Sequence, residues 1–414
     1  MAGQTLSAFS NAMKTRYLGP IREELNTSTV LLSRIARKDD AINVSGQTFT
    51  IPLHTGRNVF AGSGRADGGT LPQVGLQSYS VAVVPNAYVY TRIKVTGPTI
   101  RASRDTAGAF TTAVESEIRG GLKDTKRAVN RQLNSDGTDA LAFWTGADDI
   151  SGVTVDDGRG HAFTHLPVGS AVTCDLIDAS DNATKLGDSI VVTQGAKAAA
   201  NYAATFTGSV SGSADGDYLV LEDTLGKQLM GIAGIIDNAN PPLLSGGLEG
   251  IDVSSGNSWW TAQVNDGGGT TDRALTLDLM QDPLDQIGMN SDADDKDVEF
   301  LLGNYPVRAK YLGLLRDEKR FVNTMTLDGG WSGLAYNDKP FIVDPQAKRG
   351  TIFYVNPSSL VILRTSDFDW ADQDGSVLCR VVNEDAYDAF LYAYMNLATT
   401  ARNQNGVLKY ITEA

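Results

Sequence analysis

From Phe49 the chain reads FTIPLHTGRN, and from Ser80 to Val95 it reads SVAVVPNAYVYTRIKV. In both segments apolar and polar side chains alternate, and a period of two predicts strands. Between them lies AGSGRADGGTLP from Ala61, polar and rich in glycine. The two strands are therefore expected to form one long hairpin over 48–100, with its tip in that stretch. The period then changes. From Ser103 onward Phe110, Val114, Ile118, Leu122, Val129 and Leu133 recur at steps of four and seven. That stripe predicts a single long helix within 101–139. Ser103 is the expected N-cap and Asp105 sits in the first turn. Lys123, Lys126, Arg127 and Arg131 load the C-terminal half, where positive charge suits the helix dipole. Gly120 and Gly121 interrupt the stripe. A helical glycine costs about 1 kcal/mol relative to alanine, and glycine pairs are places where helices bend.

An isolated two-stranded ribbon is marginal in water, and its edges offer unpaired backbone groups to other chains. A hairpin of this length is expected to be covered by neighbouring subunits. The pattern points to self-assembly.

Elsewhere the pattern is mixed. Residues 5–38 read as two short helices broken at Gly19-Pro20, with Ile21, Leu25, Leu32 and Ile35 on one face. Residues 150–225 are rich in Gly, Ser, Thr, Ala and Asp. Short apolar runs recur there between turn signals: GVTV from Gly152, AVTCDLI from Ala171, SIVV from Ser189 and DYLVL from Asp217. This predicts a small all-β insertion. Beyond it the expected elements are a helix from Thr271 to Ile287, a strand from Val298 and a helix from Arg308. Strands follow at FIVDP, TIFYV and SLVILR, then a turn-rich loop over Asp367–Gly375 and a strand at SVLCRVV. The last element expected is a helix from Glu384 to Ala401, with Phe390, Tyr394, Leu397 and Ala401 on one face.

Composition narrows the function. The 414 residues carry a formal net charge of -14, which argues against gripping nucleic acid over most of the surface. An acidic wall suits a container that must release a polyanion. Cys174 and Cys379 lie far apart, so a disulfide framework is not expected and a reducing compartment fits. No apolar run is long enough to span a membrane, and MAGQTLSAF lacks the order of a signal peptide. Assembly in the cytoplasm is expected.

No catalytic constellation emerges. His161 and His165 are four apart, but Ala162 stands where a zincin needs Glu. SDADDKDVE from Ser291 lacks the glycine of a calcium loop and has Lys296 at a ligand position. DFDWADQDG from Asp367 reads as a turn. GGG at Gly267 has no lysine after it, and Thr271 reads as a helix cap. GSGR at Gly62 lacks the strand–turn–helix setting of a dinucleotide site. No enzyme, cofactor or metal is expected.

With the hairpin and the helix in place, the chain resembles the major capsid proteins of tailed bacteriophages, with the Hong Kong 97-type fold. LNTSTVLLSRIARKD from Leu25 looks like that family's N-terminal arm. FTIPLHTGRN and GRADGGTLP look like its extended loop, and Ser103–Leu133 like its spine helix. LEGIDVS from Leu248 with the following Trp, DKPFIVDP, and RNQNGVLKYI are similar to its later part. The resemblance implies an α+β fold. Its parts are an arm (1–47), an extended loop (48–100), a spine helix (101–139) and an axial domain (140–354) that carries the insertion. A peripheral C-terminal part (355–414) completes it.

The resemblance also implies hexamers and pentamers in an icosahedral shell, portal and scaffolding partners, and enclosed double-stranded DNA. A decoration or cement protein is a further possible partner. Arg57, Arg65, Asp67 and Leu71 on the loop are the expected subunit contacts, and Gly120-Gly121 an expected hinge. Two departures matter. Some members crosslink through a lysine in the extended loop, yet residues 54–79 contain none and Lys94 is the nearest beyond the tip. Only a short segment precedes the arm motif, so scaffolding is expected either as a separate protein, which Met1 favours, or as a segment already removed. The rival readings are the shell of a cellular encapsulin-type nanocompartment and, more remotely, a β-rich adhesin or tail protein.

Overall fold

The structure, a computed structural model, describes residues 30–35, 48–58, 60–62, 64–98, 120–121, 124–145, 154–156, 171–198, 201–208, 210–269, 271–291, 298–317, 325–327, 331–372 and 379–413. Most of the expected arm, and the expected spine helix before Gly120, lie outside these residues.

Strands β1 (Thr48–Gly56) and β2 (Ser78–Pro85) pair antiparallel from Thr48↔Pro85 to Gly56↔Ser78. The single strand expected from Ser80 to Val95 is two. After Asn86 the chain enters β3 (Ala87–Thr96), which belongs to a different sheet. Buried positions are even-numbered in β2 (Ala82, Val84) and odd-numbered in β3 (Ala87, Ile93, Val95). One inserted residue flips which face is buried, because the side-chain period is two. The Asn86 amide anchors the switch by donating to Thr365 Oγ1 at 2.6 Å.

β3 joins a four-stranded sheet with β16 (Leu360–Trp370), β17 (Cys379–Arg380) and β18 (Ala386–Thr399). β18 replaces the helix expected over Glu384–Ala401. Its residues 386–395 pair with β3, and its other edge pairs with β16 and β17. A central strand satisfies its backbone on both sides, and the tertiary partners override the spacing of four. The expected loop at Asp367 is also corrected: 367–370 continue β16, with Asp369 opposite Tyr392 across an irregular register. Of the SVLCRVV strand, only Cys379–Arg380 is a strand among the described residues.

Behind this sheet lie helix α1 (Val30–Ile35) and helix α2 (124–133), the C-terminal part of the expected spine; 120–121 are also helical. Leu31, Ile35, Val129 and Leu133 share one core with Ile93, Val95, Leu391 and Met395.

The β-rich insertion is a closed barrel in the order β4-β5-β8-β7-β6-β9. Its strands are β4 (Ala142–Thr145), β5 (Thr154–Asp156), β6 (Ala171–Ile177), β7 (Lys185–Ala198), β8 (Asn201–Thr207) and β9 (Tyr218–Leu221). It begins a few residues before the expected boundary. The barrel has its own core of Trp144, Cys174, Leu176, Ile190, Val192 and Leu219. Trp144 lies 4.8 Å from Phe206 between ring centroids. Closure removes the strand edges that a small open sheet would expose.

After the short helix α3 (Ile232–Ile235) comes a seven-stranded mixed sheet, ordered β10-β19-β15-β11-β14-β13-β12. Its strands are β10 (Gln263–Asn265), β11 (Phe300–Gly303), β12 (Met325–Leu327), β13 (Trp331–Tyr336), β14 (Lys339–Val343), β15 (Ile352–Val355) and β19 (Gly406–Leu408). Helices α4 (Leu277–Asn290) and α5 (Tyr305–Asp317) pack on it through Met280, Leu284, Ile287, Val307 and Tyr311. Both start at positions other than expected. Thr276, not Thr271, caps α4, its hydroxyl accepting the Leu279 N–H at 3.2 Å. α5 starts at Tyr305 because the Asn304 side chain accepts the Val307 N–H at 3.1 Å and Pro306 suits a first turn.

Candidate functional site

The hairpin root is held by its own subunit. Phe49, Ile51 and Leu53 of β1 and Ala82 and Val84 of β2 pack against Ile251, Trp260, Leu363 and Ala398. The expectation that the hairpin cannot bury itself is therefore corrected at its base: one face is covered by the chain itself. The other face is not. Tyr79, Val81 and Val83 are 70%, 56% and 39% exposed. In the tip Leu71, Val74 and Leu76 are 83%, 89% and 84% exposed. Large apolar side chains exposed together on one element mark an interaction site. Arg57, Arg65, Asp67 and Leu71 are all exposed in this tip, as the sequence places them.

A second exposed surface lies on β3 and β18. Tyr88, Tyr90, Phe390, Tyr392 and Tyr394 share the outward face of the four-stranded sheet. Ring centroids are 5.0 Å apart for Tyr88–Tyr394 and 5.1 Å for Tyr392–Tyr394. Charged pairs border them: the Arg92 Nε donates to Asp388 at 2.9 Å, and Lys94 pairs with Glu384. Lys94, the lysine nearest beyond the tip, is thus held within its own sheet.

Two buried ionisable residues organise the hairpin root, and the sequence reading missed both. Glu249 is 4% exposed and has a left-handed backbone, φ 56°. Its carbonyl accepts the Val83 N–H of β2 at 2.8 Å. Its Oε1 accepts the Thr399 N–H at 2.7 Å, while Oε2 has no hydrogen-bond partner. Burial pushes the carboxyl up to about 8, against the opposing pull of the Thr399 N–H and Arg402. Arg402, fully buried, donates to the carbonyls of Ile235, Gly234, Trp260 and Ala239 at 2.6–3.1 Å. LEGIDVS stood out in the sequence only as a point of resemblance. That its turn points a carboxyl inward was not legible.

Gly120 and Gly121 are helical, as expected. A Cβ on Gly120 would meet nothing within 4 Å, and one on Gly121 would touch Ile93 and Thr91 side chains at ordinary distances, 3.5–3.7 Å. Packing against the described residues therefore does not require glycine at either position. The GGG stretch is a turn whose Gly267 admits the Arg273 guanidinium, since a Cβ there would lie 2.7 Å from it.

His161, His165 and positions 292–297 of the acidic stretch lie outside the described residues. Among the described residues no cluster of three or more His, Cys, Asp or Glu could hold a metal ion. None of their helices is long and apolar enough to cross a membrane. Cys174 is buried in the barrel, and burial pushes its thiol up to about 12.

No protein-family model matches the sequence, and no curated protein matches it. Solved structures do. The capsid asymmetric unit of cyanophage A-1(L) superposes with a TM-score of 0.56 at 13% identity, covering 93% of each chain. The capsid of a native GTA particle gives 0.46 at 9% identity, covering 92% of this chain and 91% of that one. The SrpI encapsulin of Synechococcus elongatus PCC 7942 gives 0.44 at 10% identity, covering 89% and 83%. The match to the cyanophage capsid spans nearly the whole of both chains, and the chain has the α+β, Hong Kong 97-like capsid fold.

Proposed function

We propose that this chain is a major capsid protein, assembling into the icosahedral shell that encloses the double-stranded DNA of a tailed bacteriophage. The observation that carries this reading is the hairpin. Its root is fastened to the subunit, while its outer face and tip present Tyr79, Val81, Leu71, Val74 and Leu76 to solvent. Closed symmetric assembly gives every such surface a partner. The role is structural, not enzymatic. Residues 1–47 form the arm, 48–100 the extended loop, 101–139 the spine helix, 140–354 the axial domain with the barrel, and 355–414 the peripheral part. β19, at the end of the chain, returns to the larger sheet and stitches the last two together.

In this reading hexamers and pentamers form the lattice, and portal and scaffolding proteins serve its assembly in the host cytoplasm. A cement protein is an optional reinforcement of the virion. DNA is enclosed without sequence-specific contacts, in keeping with a net charge of -14. Expression of the chain followed by negative-stain imaging tests the proposal. Closed shells are expected, and a stable monomer at micromolar concentration overturns it. Shells purified from their natural source that hold enzyme cargo and no nucleic acid would favour the nanocompartment.

A further inference from the structure

We propose that Glu249 is a proton-operated latch on the hairpin root: neutral, it holds β2 against the subunit, and ionised, it releases it. The geometry places one residue at a junction of three elements. Its main chain grips the hairpin through the Val83 N–H. Its side chain grips the end of β18 through the Thr399 N–H. The turn that carries it is pinned by the Trp260 indole, which donates to the Leu248 carbonyl at 3.2 Å. The second carboxyl oxygen is buried with no partner, so this is where a proton resides.

The charged surroundings are sparse. From β2 the neighbours are apolar, Ala82 and Val84. From β18 the neighbour is Thr399. The cation that faces Glu249 is Arg402, four of whose five N–H donors go to carbonyls. Beyond it lies Asp237, itself paired with Lys409 at 2.7 Å. Ionisation therefore puts a charge in the core that Arg402 and the Thr399 N–H offset only in part, against the larger cost of burial. Burial raises this carboxyl into the neutral range, so the transition falls at accessible pH. Relief must come from loosening the root, where among the described residues the Val83 N–H makes the one main-chain to main-chain hydrogen bond from β2 to the body, beside the Asn396 amide that donates to the Pro85 carbonyl at 2.8 Å.

The test is amide hydrogen exchange of the full-length protein from about pH 6 to about pH 10, each rate divided by its intrinsic value. Wild type should lose protection in residues 78–85 by about tenfold per pH unit as pH rises towards about 8 and level off above it, the slope of one proton released on opening. Peptides from α4 and the barrel should not follow. Glu249→Gln, which keeps the shape without the charge, should hold its protection across the range. Glu249→Gly, which keeps the left-handed backbone and the carbonyl, should do the same and serves if the glutamine variant misfolds. Flat protection in the wild type, or the same loss in both variants, overturns the latch.

Discussion

The Asn130 amide donates to both carboxylate oxygens of Asp344, at 3.1 and 2.9 Å, and so ties helix α2 to the loop after β14. Asn134 adds a third side-chain bond at 3.3 Å, and the Gln346 N–H a fourth contact at 2.8 Å. Asp344 is 1% exposed. Replacing it with Ala removes the acceptor of the half-buried Asn130 amide and of the buried Gln346 N–H, and each unsatisfied buried group costs about 1–3 kcal/mol. Asp344→Ala should lower the unfolding midpoint in urea clearly, with Asp344→Asn falling between it and wild type.

Arg402 predicts a failure of conservative substitution. Its planar fork reaches four carbonyls at once, which lysine's point charge cannot do. Arg402→Lys should cost nearly as much as Arg402→Met, on the order of 3 kcal/mol. Denaturant titrations of the two variants check this, and a lysine variant as stable as wild type would contradict it.

The same root gives a pH dependence. Glu249 binds its proton more tightly folded than unfolded, so its contribution favours the fold below its ordinary value of 4.5. That contribution is lost as pH rises towards about 8. Glu249→Gln should flatten the decline of thermal stability over that interval. An unchanged slope would assign the decline to other groups.

Gly120-Gly121 is the proposed hinge of the spine. Alanine fits both positions without a clash, so the double variant should gain about 2 kcal/mol of helix stability while impairing shell expansion. Normal expansion, followed by scattering of purified precursor shells, would refute the hinge.

Arg57 and Arg65 are proposed to pair with acidic groups of neighbouring subunits. Alanine at either should lower the temperature at which particles disrupt while leaving subunit folding intact. Exposed pairs contribute about 0–1 kcal/mol, and a covered bidentate pair more. Cohesion is otherwise expected to be non-covalent, given no lysine over 54–79. Boiled in detergent, with or without reductant, particles should run as one band at 44.1 kDa.

The hairpin was legible from its period of two, and the barrel strands at Ala171 and Tyr218 and the strands at Lys339 and Ile352 from short apolar runs. β18 was not. Phe390, Tyr394 and Leu397 fit a helical stripe, yet Leu391, Ala393 and Met395 form an equally good buried face for a strand. Only the partners on both edges, more than 250 residues away in the case of β3, choose between them. The break at Asn86 was hidden for a similar reason. Both halves alternate, and the change of phase shows only once β1 and β18 claim different sides. Glu249 and Arg402 left no periodic trace, since their partners are backbone groups.

The chain enters the barrel at Leu141 and leaves past Leu219 on the adjoining strand, with the Leu141 N–H donating to the Leu219 carbonyl at 2.7 Å. Entrance and exit are side by side, and the core between them is separate from the rest. A unit joined in this way can be gained, lost or exchanged in one genetic event without stretching the body that carries it. Lineages sharing the body can therefore differ wholly in what they display at this point, and a foreign domain with adjacent ends should graft there.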